Sequence, residues 1–397
     1  MPTHTEPQQI DDLVTAKRRL ILRDTLTFLG LALVTVVLFM VTLFLFRSFA
    51  AHRDELAKRW AGRGEAALNA GKPEQAIAAL RTALAYAPGE RSDELLLARA
   101  LGDAGHTEES YNYFTGLWDT QPGDGFINLE LARLAVKRNN RQSAVHFYRA
   151  AIYGTWEGDG VVRRRAVRFE LARYLIGRRE FGIARTELLI AGGNSPPDAA
   201  LDVTLGGLLQ QADAPTDALA YYQKAISAKP DDLIALQDAG QVAYALGDFL
   251  KARRLLERAL RAHPAAGESQ QRETIVNLLQ NCQRILDLEP LQKFSPAERA
   301  SRILTARLIA KKRFAACSAP FVATGGLPPS LLALNAQWIG PGAEANRARL
   351  VADAGLQDAT VQLIYDTERT TSQVCGPPTG DDALLLKLAQ LPEAATQ

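Results

Sequence analysis

A spacing of about 34 residues recurs through the middle of this chain, and a recurrence that regular leaves few folds open. The series Trp60, Gly64, Gly71, Ala76, Leu80, Ala83, Pro88 returns as Glu94, Ala98, Gly105, Ser110, Phe114, Leu117, Pro122. A third copy runs Asn128, Ala132, Asn139, Ala144, Tyr148, Ala151, with Trp156 where a closing proline is due. Six further residues, in a stretch containing Gly154, Gly158 and Gly160, shift the frame. The period resumes as Ala172, Arg179, Ala184, Leu188, Ala191, Pro196, then as Gly206, Asp213, Ala218, Tyr222, Ala225, Pro230, and ends as Gly240, Gly247, Ala252, Leu256, Ala259, Pro264. A fixed period of this length means one small unit used repeatedly, each copy burying its apolar face only against its neighbours.

Numbered within the repeat, Ala or Gly stands at positions 8 and 20 and a large residue at position 24. Small residues let two helices approach closely, and the large one fills the space beside the crossing. Gly71, Gly105 and Gly247 suit the left-handed residue that ends a first helix. These residues resemble the tetratricopeptide repeat family over about residues 57–264. Ser110, Trp156, Arg179 and Asp213 depart from its pattern. The resemblance implies pairs of antiparallel helices stacked into an α-solenoid, and a concave groove that binds extended peptides or partner helices.

Helical geometry then selects the groove wall. At 100° per residue, positions 4, 7, 8 and 11 share one side of the first helix, and positions 2, 5, 9 and 12 lie roughly opposite. Position 9 reads Arg99, Arg133 and Arg173 in three successive repeats, and position 5 reads Leu95, Leu129 and Phe169. An arginine ladder beside an apolar strip suits a protein or peptide partner with acidic side chains or a free carboxylate, because guanidinium forks pair with carboxylates bidentately. The opposing interpretation is a solvated helix face in a chain that uses Arg freely. Residues 130–185 hold thirteen basic and five acidic side chains, against two and eight over residues 89–124.

Ahead of the repeats, Leu26 to Phe46 runs without a charge, with seven Leu, four Val and four Phe. As a helix it spans roughly 31 Å, close to the hydrocarbon thickness of a bilayer. It is too long for the core of a cleaved signal, the competing interpretation that Ser48-Phe49-Ala50 invites. Lys17, Arg18, Arg19 and Arg23 before the span balance Arg47, Arg53, Lys58 and Arg59 after it. The short basic tail therefore decides the orientation: N-terminus in the cytoplasm and the bulk of the chain outside it, in a bacterial inner membrane. The alternative is a cytoplasm-facing, membrane-tethered regulator of envelope biogenesis.

The expected fold is all-α: a tail at 1–24, a transmembrane helix at 25–47, about six repeats at 57–264, and a helical cap with a small helical module at 265–397. In that last region Ser295-Pro296-Ala297-Glu298 is a capping box opening a helix to about Cys317. Shorter helices are expected near 330–338, 343–354, 357–373 and 381–390. Cys317 and Cys375 are each expected to end a helix; in an oxidising compartment they could bridge, leaving Cys282 unpaired on an apolar face, and the alternative is three reduced, unrelated core cysteines. Asp231-Asp232 and Asp381-Asp382 stand at helix starts and are expected as caps.

Chemistry-bearing patterns are scarce. His4, His52, His106, His146 and His263 have no metal-ligand spacing, and neither a phosphate loop nor a nucleophile elbow occurs, so neither cofactor nor small-molecule substrate is expected. A net charge of +2 gives no general drive toward nucleic acid, although Arg163, Arg164, Arg165 and Arg168 cluster. The sequence points to a non-enzymatic scaffold of the cell envelope. An enzyme would need an unrecognised site within residues 290–397.

Overall fold

The structure is a computed structural model that describes residues 8–193, 197–262, 269–340 and 345–391. Pro196, Pro264, His4 and His263, named above, lie outside them. Among the described residues the regular structure is helical, eighteen helices with one isolated bridge between Asp124 and Thr155. The chain divides into two compact units, Met1–Val167 and Arg168–Gln397.

The first unit holds α1 (Gln8–Asn69), α2 (Pro73–Tyr86), α3 (Arg91–Ala104), α4 (Thr107–Thr120), α5 (Gly125–Lys137), α6 (Arg141–Tyr153) and the start of α7 (Gly160–Gly177). From α1 to α6 each helix packs on the next in chain order. The apolar span and the first helix of the first repeat are one unbroken helix, because no Gly or Pro stands between Phe46 and Ala57 to interrupt it. Its apolar window is wholly uncovered by protein, with Phe28 at 75% and Phe44 at 71% exposure. So large an apolar surface is suited to lipid rather than water.

The second unit continues α7 and adds α8 (Phe181–Gly193), α9 (Ala199–Gln211), α10 (Pro215–Ala228), α11 (Leu233–Ala245) and α12 (Phe249–Ala262). Beyond the repeats come α13 (Ser269–Leu288), α14 (Pro296–Thr324), α15 (Pro329–Ile339), α16 (Arg347–Ala352), α17 (Ala354–Cys375) and α18 (Gly380–Gln390). Helix α13 packs against α12. One core runs from Phe249 in the last repeat through Ile285, Ile303 and Phe314 to Ile364 and Leu385. The C-terminal helices therefore cover the end of the repeats as part of the same core.

Ser295 caps α14 by accepting from Glu298 N–H at 3.3 Å, but the helix continues past Cys317 to Thr324. Pro320 removes a single donor near the helix end, and the stop is set instead by Gly325 at φ +108°. Cys317 thus lies within a helix, while Cys375 ends α17. The two form a disulfide with Cα atoms 5.8 Å apart. Closing a loop of 58 residues contributes about 4 kcal/mol in the chain-entropy description. Cys282 is buried and unpaired, its thiol pushed up to about 11 by burial. Asp232 caps α11 by accepting from Ala235 N–H at 3.1 Å. Asp381 and Asp382 stand in the first turn of α18 but cap nothing: Asp381 accepts two bonds from Arg284, and Asp382 turns toward Glu368.

Close helix approach accounts for the repeat pattern. A Cβ built on Gly206 would sit 2.7 Å from the Tyr222 ring, and one on Gly240 would sit 2.7 Å from Leu256 Cγ. Each glycine holds position 8 of its repeat, and each large partner holds position 24. Ala76, Ala144, Ala184, Ala218 and Ala252 at position 20 have no exposed surface. Ser110 fits the same slot because its hydroxyl donates to the Ala98 carbonyl at 2.6 Å. Asn139, Arg179 and Asp213 adopt positive φ in place of the turn glycine, at 52°, 61° and 53°. Trp156 replaces the closing proline by donating its indole N–H to the Ala151 carbonyl at 2.8 Å. Gly206→Ala is expected to lower stability by about 1–3 kcal/mol through overpacking against a stiff ring. Gly207→Ala, whose Cβ meets only the Tyr222 hydroxyl at 3.7 Å, should leave it unchanged or slightly higher. Thermal denaturation followed by circular dichroism compares the two.

Candidate functional site

In the first unit the first helices of the repeats line a groove of about 890 Å³. One wall is a face of α1, given by Asp54, Ala57, Lys58, Ala61, Gly62 and Glu65, whose spacing of three and four residues keeps them on one side of the helix. The opposite wall comes from Glu90, Ser92 and Asp93, with Leu95, Leu96 and Phe126 as the apolar surface. Lys58, Ala61 and Glu65 are positions 2, 5 and 9 of the first repeat, the positions that helical geometry places opposite the packed face.

Leu95 lines the groove. Leu129 is only 8% exposed and Phe169 only 9%, so neither offers a partner much surface. Arg99 and Arg133 are both exposed, on α3 and α5. They are not bare cations. Arg99 Nε lies 3.8 Å from Asp103, and Arg133 donates to Glu130 at 2.7 Å. Burial holds Glu130 above the usual carboxylate range, with Arg133 and then Arg99 pulling the other way and Asp103 adding to the rise. The two arginines are thereby brought together electrostatically around one half-buried carboxylate. Arg173 and Phe169 belong to the second unit, where Arg173 is exposed on α7. Of the basic cluster, Arg164 donates to the Gly154 carbonyl at 3.1 Å, Arg163 lies over the Trp156 ring, and Arg168 is ion-paired with Glu187. Those contacts anchor the insertion and α7.

The first-repeat residues of the groove do not share the recurring Arg: Glu65 holds position 9 there, one repeat ahead of Arg99. The groove also has an acidic character that no recurrence shows. Asp93 is 6% exposed, and burial first, then the charge of Glu90, hold it above the ordinary carboxylate range.

The second unit contains a smaller hollow of about 290 Å³ lined by Glu289, Arg299, Tyr365 and Arg369 among others. Burial pushes Glu289 up to about 7. Arg299 is committed to structure: it donates to the Pro290 carbonyl at 3.0 Å and to Gln357 and Asp358 at 2.7 Å each. Deeper in the core, Glu368 has no exposed surface and is pushed up to about 8 by burial and by the neighbouring Asp382, against the pull of Arg313. Burial also raises Asp382, so the neighbouring pair favours a protonated carboxyl. Among the described residues no group of three metal-ligating side chains forms.

Stacked antiparallel hairpins with small residues at every crossing define a helical-repeat scaffold. Residues 57–90 and 238–270 each match a model described as tetratricopeptide repeat, so the chain carries tetratricopeptide repeats, a repeat type found in generally non-enzymatic scaffolds. No curated protein matches this chain. Among solved structures it is similar to the C-terminal part of a tetratricopeptide repeat-containing protein from Cytophaga hutchinsonii (13% identity, 56% of this chain and 85% of that one, TM-score 0.45). It is also similar to PilW, described as a widely conserved type IV pilus biogenesis factor (17%, 55% and 98%, 0.39). YrrB, described as having an unusual peptide-binding site, is another (14%, 51% and 99%, 0.38).

The Glu368 carboxyl yields a pH prediction. Its folded value lies above its ordinary 4.5, so its contribution to stability is complete below about 4.5 and is lost as pH rises through about 8. Melting temperature should fall by about 5 °C between pH 5 and pH 8.5. Glu368→Gln should flatten that slope, Glu289 retaining part of it in the same direction. An unchanged slope in the variant would remove Glu368 from the account.

Proposed function

We propose that this chain is a membrane-anchored scaffold whose groove captures a protein partner for assembly or maintenance of the bacterial cell envelope. The observation that carries the proposal is the groove itself: apolar surface from Leu95, Leu96 and Phe126 lies open between charged walls on a solenoid that is one helix with an apolar span. Anchoring confines the groove to the bilayer surface and raises its effective concentration near envelope partners. Arg99 on α3 and Arg133 on α5 are the donors to a carboxylate on the partner, exchanging their contacts with Asp103 and Glu130 for it. Arg173, exposed on α7, offers a further guanidinium of this kind in the fourth repeat, with Phe169 buried on the same helix as packing.

The span sits in the inner membrane with the N-terminus in the cytoplasm and the repeats outside it. The Cys317–Cys375 disulfide supports this side, since such bonds persist in oxidising compartments. Alkaline phosphatase fused after Gln397 is expected to be active in cells. Activity confined to a cytoplasm-only reporter at the same position would replace this topology with the cytoplasm-facing one.

Recognition by arginine is tested without an unpaired charge by changing Glu130→Gln and Arg133→Gln together. Loss of one charge-assisted contact of about 1.5–3 kcal/mol should reduce partner recovery in a crosslinking pull-down at least tenfold, with the melting temperature unmoved. Undiminished recovery of the same partner would count against the carboxylate reading.

A further inference from the structure

Helix α1 crosses from the apolar span into the groove wall without a break, and this fixes how far the groove lies from the bilayer. Asp54, the first groove residue, lies about 12 Å beyond Phe46 along the helix axis, and Glu65 about 28 Å beyond it. The polar headgroup layer extends roughly 5–8 Å from the hydrocarbon edge. The groove therefore opens just above the headgroups, within reach of a chain that has itself just left the membrane.

The groove's charge says what such a chain carries. Asp54, Glu65, Glu90 and Asp93 face Lys58, four carboxylates against one amine. None of the four carboxylates is in a salt bridge among the described residues. Asp93 is the most telling: it is buried, yet among the described residues its side-chain hydrogen-bond partner is the Ser92 hydroxyl at 3.4 Å, whose single proton is also within reach of Glu90 at 3.1 Å and serves one of the two at a time. A buried carboxylate beside a like charge, with open groove in front of it, is satisfied by an incoming cation. Leu95, Leu96 and Phe126 between the charged walls require apolar side chains interleaved with those cations. Gly62 leaves the space open, since a Cβ there would meet nothing within 4 Å.

We infer that the groove's membrane-proximal end takes the basic, apolar juxtamembrane segment of a second membrane protein, emerging from the same bilayer face beside α1. This rests on the anchored reading above and supplies its partner class. The occupant's cations meet Asp54, Glu65, Glu90 and Asp93, and its continuation runs toward Arg99 and Arg133, where a carboxylate is accommodated. Flanking segments of this chemistry are common next to membrane spans, and the groove selects those with apolar residues between the charges.

The test reconstitutes the full chain in nanodiscs with a synthetic peptide: a polyleucine span followed by a twelve-residue Lys/Leu/Arg extension carrying one photoreactive leucine. Crosslinking to the groove, located by mass spectrometry, is expected to exceed by at least tenfold that of the same peptide with Glu for Lys and Arg. Glu65→Lys with Glu90→Lys should abolish the preference. Gly62→Leu should block crosslinking while leaving the melting temperature unchanged or higher, because the added side chain fills the groove and touches no neighbour at its Cβ. Equal crosslinking of the acidic peptide, equal capture of the extension as a free soluble peptide, or full crosslinking in Gly62→Leu would each overturn the inference. Crosslinking of the chain to a second copy of itself through the groove would do the same. Carbonate extraction of the chain from cell membranes separates the two layers: release overturns the anchor and this inference with it, whereas retention without crosslinking overturns this inference alone.

Discussion

The contact between a missing or minimal side chain at position 8 and a large one at position 24 is what the rest of the molecule depends on. Gly206 against Tyr222 and Gly240 against Leu256 bring the two helices of a hairpin so close that no larger residue fits. That approach sets the hairpin geometry, and hairpin geometry decides which positions of the first helix remain for a partner. Lys58, Ala61 and Glu65 line the groove because Gly64 and its equivalents face the second helix. Recognition and packing are two faces of the same helix, separated by half a turn.

The hairpins were legible in the sequence because their constraint is steric and repeats with a fixed period. Ser110, Trp156, Arg179 and Asp213 break the pattern in letters, yet each fills its position physically: a hydroxyl that bonds back to Ala98, an indole that closes α6, and two residues held at positive φ. Other features depend on tertiary neighbours and left no periodic trace. Burial of Leu129 removes it from the surface although it sits at the same repeat position as Leu95. Asp382 looks like a helix-start acid but faces Glu368, a partner on the preceding helix that only the packing of α18 on α17 supplies. The long helix past Cys317 was obscured by Pro320, whose effect is small where a helix is already ending.

Electrostatics divides the first unit's recognition surface. Its groove beside α1 is acidic, its carboxylates free of salt bridges among the described residues, while Arg99 and Arg133 on α3 and α5 are partly neutralised by Asp103 and Glu130. On the proposed function a partner offers cations to the first patch and a carboxylate to the second, a more selective requirement than either patch alone imposes. With α1 anchored as proposed, its continuity adds a geometric filter, since chains at the bilayer surface would meet the acidic end at the highest effective concentration.

That continuity is the central claim, and pulsed dipolar spectroscopy on the full chain in nanodiscs reads it directly. Spin labels at Arg47 and Glu65 bracket the junction between the apolar span and the first repeat. A single helix places their backbones about 27 Å apart, with a narrow distribution. A broad distribution, or a mean displaced by more than the reach of the labels, would mean a flexible joint at the junction and would free the groove from the membrane surface.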